Sequence, residues 1–304
     1  SIYMNPISKS YQNAGYGTTD YNQIEPGFGN ADSLNSLVSA IHNNDMRIMT
    51  DVVLYFSPLS SIYVNKYGCN PLQGALQSET SPYTQMLKFD NWPDYTATEW
   101  GGLYTNLFNN ALQSLLYKSS GSALQRLVGE YKIDGLRFDC GGYLGSKTDT
   151  NLRNTLIKDI RNNLKSVNPD MLMLSEYDYN NMIGYSWDSQ WNLDLRSAFQ
   201  VFITGELMSG QTYDTTVSGL KKVMTRSLFK LPRQQSLTIQ NLISYHDADR
   251  IDIDSAAGRS SALVQMTYIG APVIYYGQEI GLDKAVENGI SQAGHAATSF
   301  YSMD

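Results

Sequence analysis

The stretch Ile133-Asp134-Gly135-Leu136-Arg137-Phe138-Asp139 sets the reading of the whole chain. A short, nearly continuous apolar run ending in a carboxylate fits a strand covered on both faces better than one with a single wet face. Similar runs recur at Ile2 to Met4, Arg47 to Tyr55, Met171 to Ser175, Leu242 to Tyr245 and Pro272 to Tyr276. Between them apolar residues return at helical spacing: Leu34, Leu37, Val38, Ile41; then Leu124, Leu127, Val128, Tyr131; then Leu152, Leu156, Ile157, Ile160, Leu164. Alternating strand and helix predicts right-handed βαβ units, hence an α/β fold that is either a doubly wound sheet or a closed (β/α) barrel. The pattern alone does not choose between them.

The 304 residues carry 22 Lys plus Arg against 29 Asp plus Glu, a net charge of −7, with 42% hydrophobic and 17% charged residues. That balance predicts a globular chain, read as one large domain, and excludes the basic clusters that phosphate backbones require. No nucleic-acid partner is expected. The least charged long stretch, Ser260 to Gln278, is broken by Gln265, Thr267, Gly270 and Pro272, so no membrane span is expected either. Two cysteines, Cys69 and Cys140, and three scattered histidines, His42, His246 and His295, argue against zinc chemistry. Nucleophile-elbow, phosphate-loop and dinucleotide fingerprints are missing, which leaves carboxylate chemistry. The 22 Tyr, 9 Phe and 4 Trp suit either core packing or a surface that stacks flat sugar faces.

Several strands end in a carboxylate: Asp51 in Thr50-Asp51-Val52-Val53-Leu54, Asp139 after Phe138, Glu176 after Met171 to Ser175, and Asp247 after Ile243-Ser244-Tyr245-His246. In a barrel the C-terminal strand ends converge on one face, where catalytic groups gather. A single such Asp would be read as a helix cap or loop anchor; four at corresponding positions point to a site. One connection, 56–109, is long and contains Pro58, Pro71, Pro82 and Pro93. It is expected to be an inserted loop or small lobe, with Trp92, Tyr95, Trp100 and Tyr104 available to line a groove.

These segments resemble the motifs of the alpha-amylase family of retaining α-glucan-active enzymes, over nearly the whole chain. Gly15-Tyr16 with Thr19-Asp20-Tyr21 and Gly29 resembles the family's early loop, and Asp51-Val52-Val53-Leu54 its first conserved region. Gly135-Leu136-Arg137-Phe138-Asp139 resembles the second, Glu176 the third and His246-Asp247 the fourth; Gly270 to Glu279 is similar to the last barrel strand and its loop. The resemblance is closest to the neopullulanase and cyclomaltodextrinase-like members. It implies a (β/α)8 TIM barrel catalytic domain, with the long excursion following the barrel's third strand. Since the first residues resemble the second barrel strand, 1–304 is expected to be a partial barrel lacking its first strand and helix, continuous with further domains of a larger polypeptide.

The resemblance implies that Asp139 is the nucleophile, Glu176 the general acid/base and Asp247 the transition-state stabiliser. It also implies that Tyr16 stacks under the sugar and His246 bonds its hydroxyls; Arg137, Asp51, Phe56 and Tyr143 are the further candidate substrate-binding residues. Retaining hydrolysis independently needs one ionised carboxylate to attack and one protonated acid to assist the leaving oxygen, with carboxyl groups about 5–5.5 Å apart. Arg137, two residues before Asp139, shares its strand face and should hold it ionised. The expected activity is cleavage of α-1,4 bonds, extending to α-1,6 bonds, in starch-derived glucans, pullulan or maltooligosaccharides. The alternatives are a glucanotransferase using the same covalent intermediate, or a non-catalytic amylase-like module that binds glycans or a protein.

Tyr55-Phe56 stands where the family's first region has Asn-His, and Gly142-Tyr143 where it often has Lys-His. No cofactor is expected. A structural calcium would lose the Asn ligand at Tyr55 and meet Asn106 where an Asp often stands. The altered acceptor side points to branched, cyclic or short substrates, or to sugar transfer. Low charge with many polar residues points to the cell surface or exterior, although two cysteines read as unpaired fit a cytoplasm equally.

Overall fold

Four of the apolar runs lie side by side as parallel strands: β1 (Ile2–Met4), β4 (Ile48–Val52), β7 (Gly135–Phe138) and β8 (Leu172–Ser175), paired in that order. A computed structural model of the chain describes residues 1–12, 14–178, 186–205, 215–230, 238–247, 250–251 and 253–281. These fall into two units, one reaching residue 178 and including 186–188, the other beginning at 189.

In the first unit the register sets Asp51 opposite Arg137 and Phe138 opposite Ser175. The ladder continues past the strand ends: Asp139 N–H donates to the Val52 carbonyl (3.0 Å) and Glu176 N–H to the Phe138 carbonyl (3.2 Å). The sheet's hydrogen bonding therefore fixes the backbone of both carboxylates. Side-chain alternation puts Leu136 and Phe138 on one face and Arg137 and Asp139 on the other. The connecting helices are amphipathic, as the spacing predicts. On α1 (Ala31–Asn43) Leu34, Val38 and Ile41 are buried, and on α4 (Thr150–Val167) Leu156, Ile157, Ile160 and Leu164 are; the outlying Leu37 and Leu152 are exposed. Asn30 and Asp149 cap their N-termini through Ser33 N–H and Leu152 N–H. The Leu124 period is shorter than its spacing suggests. The helix α3 (Ala123–Gly129) stops before Tyr131, which stays buried with its hydroxyl against Arg126.

After β1 the chain makes an antiparallel hairpin of β2 (Ser8–Ser10) and β3 (Thr18–Ile24). Gly15 sits in its turn with φ +88°, and a Cβ there would meet the Pro6 carbonyl oxygen at 2.4 Å, so only glycine fits. The 56–109 excursion is drawn together at its base by β5 (Phe56–Ser57) and β6 (Leu103–Tyr104), with Phe56 opposite Tyr104. Within it Val64, Ala75, Leu87 and Leu103 form a small apolar cluster of their own.

In the second unit, β9 (Ser189–Gln190) supplies the strand that the sequence signals only weakly near 186–195. Trp191 bridges in parallel to Gln240 of β10 (Gln240–Asn241), which pairs in parallel with β11 (Ala271–Pro272). Leu195 and Phe199 of α5 (Leu193–Thr204), Leu220 of α6 (Val217–Lys230), Ile243 and Ile251 build a separate core. A further helix, α7 (Ala256–Thr267), precedes β11. The run expected as a strand at Leu242 to Tyr245 is displaced: β10 ends at Asn241, whose side chain bonds Asn192 and the Ile269 carbonyl, and Leu242, Ile243 and Ser244 are buried without strand pairing. Among the described residues no helix is long and apolar enough to cross a membrane.

Candidate active site

Arg137 organises the strand ends of the first unit. It is fully buried, and β7 directs it, with Asp139, to the face shared by Asp51 of the neighbouring strand. Its Nη1 contacts Asp139 Oδ1 at 2.8 Å and also bonds Asp51 Oδ2; its Nη2 lies 3.0 Å from Glu176 Oε1. One guanidinium thus meets three carboxylates. Burial alone would disfavour its charge, but Asp51, Glu176 and Asp139 outweigh that and hold its pKa well above the ordinary value. It stays a cation at any working pH.

Glu176 is buried, and its second oxygen accepts from Cys140 N–H at 2.9 Å. Cys140 can present that N–H toward Glu176 because it adopts a left-handed conformation (φ 48°), turning the chain sharply after Asp139. One oxygen of Asp139, one of Glu176 and the Cys140 sulfur lie within 4.8 Å of one another. One oxygen of each carboxyl group is thus within 4.8 Å of the other, which is compatible with direct attack by one carboxylate while the other serves the leaving oxygen. Among the described residues this is the one grouping whose donors could hold a cation, yet Arg137 already contacts both carboxylates, so a metal ion would meet a fixed positive charge. Burial, then the charges of Asp139 and Glu176, pushes the Cys140 thiol up, so it is a neutral thiol.

Asp51 is an anchor for the site. Besides Arg137 it accepts from Tyr3 (2.8 Å), Tyr16 (2.7 Å) and Val52 N–H (3.0 Å). Burial, then the Asp51 charge, raises both tyrosine pKa values well above normal, so both hydroxyls remain donors. Tyr16 is thereby brought beside the carboxylates with its ring half-buried. Tyr3 was missed in the sequence; its signal is its register opposite Met49, which places it on the face of Asp51.

The altered positions are structurally consistent. Phe56 is buried and packs on Tyr55 and Trp100. Tyr143 faces Tyr177 edge-on (5.5 Å) and lies 5.8 Å from Tyr55. Gly142 is close to obligatory, because a Cβ would sit 2.9 Å from the Tyr177 carbonyl oxygen. At the calcium position Tyr55, in place of an Asn, gives its hydroxyl to Glu99 (3.1 Å), and Asn106, in place of an Asp, donates its amide nitrogen to the Gln85 carbonyl (3.1 Å). These residues do not fit a calcium ion there.

His246 and Asp247 belong to the second unit, after β10. His246 is buried with its Nε2 3.1 Å from Asp247 Oδ2, while Asp247 is exposed. Trp191 and Tyr245 pack edge-on against the imidazole.

Parallel strands delivering carboxylates from successive C-terminal ends define an α/β enzyme-type scaffold with an acidic, arginine-braced site. The chain belongs to the alpha-amylase family: the model of the alpha amylase catalytic domain matches residues 1–67 and 101–301, leaving out 68–100 within the long excursion. It is 26% identical over 303 residues to a cyclomaltodextrinase of a Bacillus species, covering 93% of this chain and 49% of that protein. It is 28% identical over 306 residues to neopullulanase 2 of Thermoactinomyces vulgaris, covering 94% and 47%. The solved structure of a cyclomaltodextrinase superposes with a TM-score of 0.76 at 26% identity, over 99% of this chain and 49% of that one. A debranching enzyme from Nostoc punctiforme shares the fold (TM-score 0.78, 22% identity, 96% and 62% covered). The fold class is thus that of the (β/α)8 barrel catalytic domain, and the chain spans about half the length of the curated relatives it matches.

Proposed function

We propose that the protein cleaves α-glucosidic bonds in starch-derived glucans by a retaining mechanism, as part of a larger polypeptide. The observation that carries this is the close Asp139 and Glu176 pair braced by one buried arginine. Asp139 attacks the anomeric carbon, forming an ester bond as the bond to the leaving oxygen breaks, and Glu176 gives that oxygen its proton. In the second step Glu176 takes a proton from water, the hydroxide attacks the same carbon, and Asp139 leaves as carboxylate. Arg137 keeps Asp139 anionic before and after each turnover. Tyr16, held by Asp51, offers its ring to the sugar being cleaved. Asp247, with His246 beside it, is assigned the part of stabilising charge on that sugar. No metal is invoked.

The test is reducing-end release from starch, pullulan and a cyclomaltodextrin by the full-length protein beside its Glu176→Gln variant. A loss of about 10²–10⁴-fold on replacing a general acid/base is the expected result. A wild-type protein that turns over none of the three would overturn the proposal.

A further inference from the structure

The first unit holds a second buried ionic cluster, to which the reaction as described gives no part. Asp178, two residues beyond Glu176, is almost wholly buried, with its Oδ1 3.4 Å from Arg153 Nη2. Its other oxygen accepts from the Trp187 indole N–H at 2.9 Å. Arg153, in the first turn of α4, is buried as deeply, and its Nη1 donates to the Ser146 carbonyl at 2.7 Å. Replacing such a buried pair by apolar residues of similar volume is often neutral or stabilising, so core packing gives no reason for the two charges.

Their place in the chain gives one. Trp187 is fully buried and packs on Phe138, the residue before Asp139, with ring centroids 5.3 Å apart. It also stands against Gly141, two residues after Asp139, where an added Cβ would come 3.3 Å from Trp187 Cζ2 and would collide with Ser175 Oγ. Ser175 in turn directly precedes Glu176. Asp139 is thus flanked by two residues seated on the indole, and Glu176 is followed by one bonded to it. Arg153 adds the loop that leads from Asp139 into α4, because it holds the Ser146 carbonyl as well as Asp178. We infer that Asp178, held by Trp187 and Arg153, is a positioning residue for Glu176. It fixes the chain just beyond the acid, so that the Glu176 carboxyl keeps its contacts with Arg137 Nη2 and Cys140 N–H and stays aimed at the leaving oxygen. The inference rests on the retaining hydrolase reading above. A misplacement of about 1 Å can cost about 10²-fold in rate, which sets the scale of the effect.

The experiment measures kcat/KM of the full-length protein on α-maltosyl fluoride and on maltotriose, for wild type, Asp178→Asn and Trp187→Phe. Fluoride leaves as an anion and needs little help from an acid, whereas the sugar leaving maltotriose needs its oxygen protonated. Asp178→Asn removes the charge that faces Arg153; Trp187→Phe keeps both charges and an aromatic ring but removes the indole N–H. A poorly folded fraction lowers both substrates equally and leaves their ratio unchanged. The ratio of the fluoride value to the maltotriose value is expected to rise by about 10-fold to 10²-fold in Asp178→Asn, and in the same direction in Trp187→Phe. If Asp178→Asn yields no folded protein, Trp187→Phe decides alone. An unchanged ratio, whether or not the two values fall together, would overturn the inference and leave the hydrolase reading standing. Wild-type action on the fluoride alone would overturn it too, there being no acid assistance to position. A wild type that turns over neither substrate would sink the hydrolase reading and this inference with it.

Discussion

Replacing Arg137 by Met should unbalance the site more than any other single change in the first unit. The guanidinium is fully buried between Asp51, Asp139 and Glu176, whose side chains are 0%, 16% and 10% exposed. Removing one partner of a buried ion pair costs about 3–5 kcal/mol, because the remaining charge keeps its desolvation penalty without its attraction. Here three carboxylates are left facing one another. In a unit of this size each kcal/mol moves the melting temperature by about 2–4 °C, so a fall of roughly 6–20 °C is expected at neutral pH. The pH dependence identifies the cause. Acidification relieves repulsion among crowded carboxylates, so the variant's deficit relative to wild type should narrow as pH falls. Thermal melts of both proteins from pH 7.5 to pH 4 measure this. A variant melting within about 2 °C of wild type at neutral pH, under one kcal/mol by the same conversion, would refute the bracing argument, and a deficit that does not change with pH would show ordinary loss of packing instead.

Gly142→Ala should destabilise by about 1–3 kcal/mol, the range for overpacking, since its Cβ would press on the Tyr177 carbonyl; a neutral result in the same melts would mean the loop yields freely. Alkylation followed by peptide mass analysis should mark exposed Cys69 long before buried Cys140 in the native protein at pH 8. The raised Cys140 pKa keeps it a thiol there, and equal labelling would contradict its burial. Hydrogen bonding to Lys147 lowers Glu99 to about 2. The sign follows: this pair contributes fully above the usual glutamate range and is lost as pH falls toward that value. Being solvent-exposed, it should contribute under about 1 kcal/mol and less in high salt. A Glu99→Gln melt that is indifferent to salt would count against the contact.

Much of the sheet could be read from local pattern. Ile133 to Phe138 and Met171 to Ser175 are covered on both faces, so their apolarity is continuous, and the carboxylates at their ends stand out. The two-residue spacing of Arg137 and Asp139 also survives, because alternation is a property of the strand itself. The reach of Arg137 to both Asp51 and Glu176 was not legible, since it depends on cross-strand register between residues far apart in sequence. The same holds for Tyr3 on Asp51 and for Lys147 among its tyrosines, where a lysine in a polar loop looks like any solvated charge. Leu242 to Tyr245 misled for another reason: an apolar run reports burial, and here the burial continues after the strand has ended.

The most direct test of the central claim is to trap the covalent intermediate. The full-length protein would be incubated with a fluorinated α-glucosyl donor that forms the glycosyl-enzyme readily and hydrolyses it slowly, then digested and mapped by mass spectrometry. The sugar is expected on Asp139 and nowhere else, with labelling abolished in Asp139→Asn. Turnover of ordinary substrate with inverted product and no labelled peptide would contradict the account, because inversion proceeds by direct attack of water without a glycosyl-enzyme.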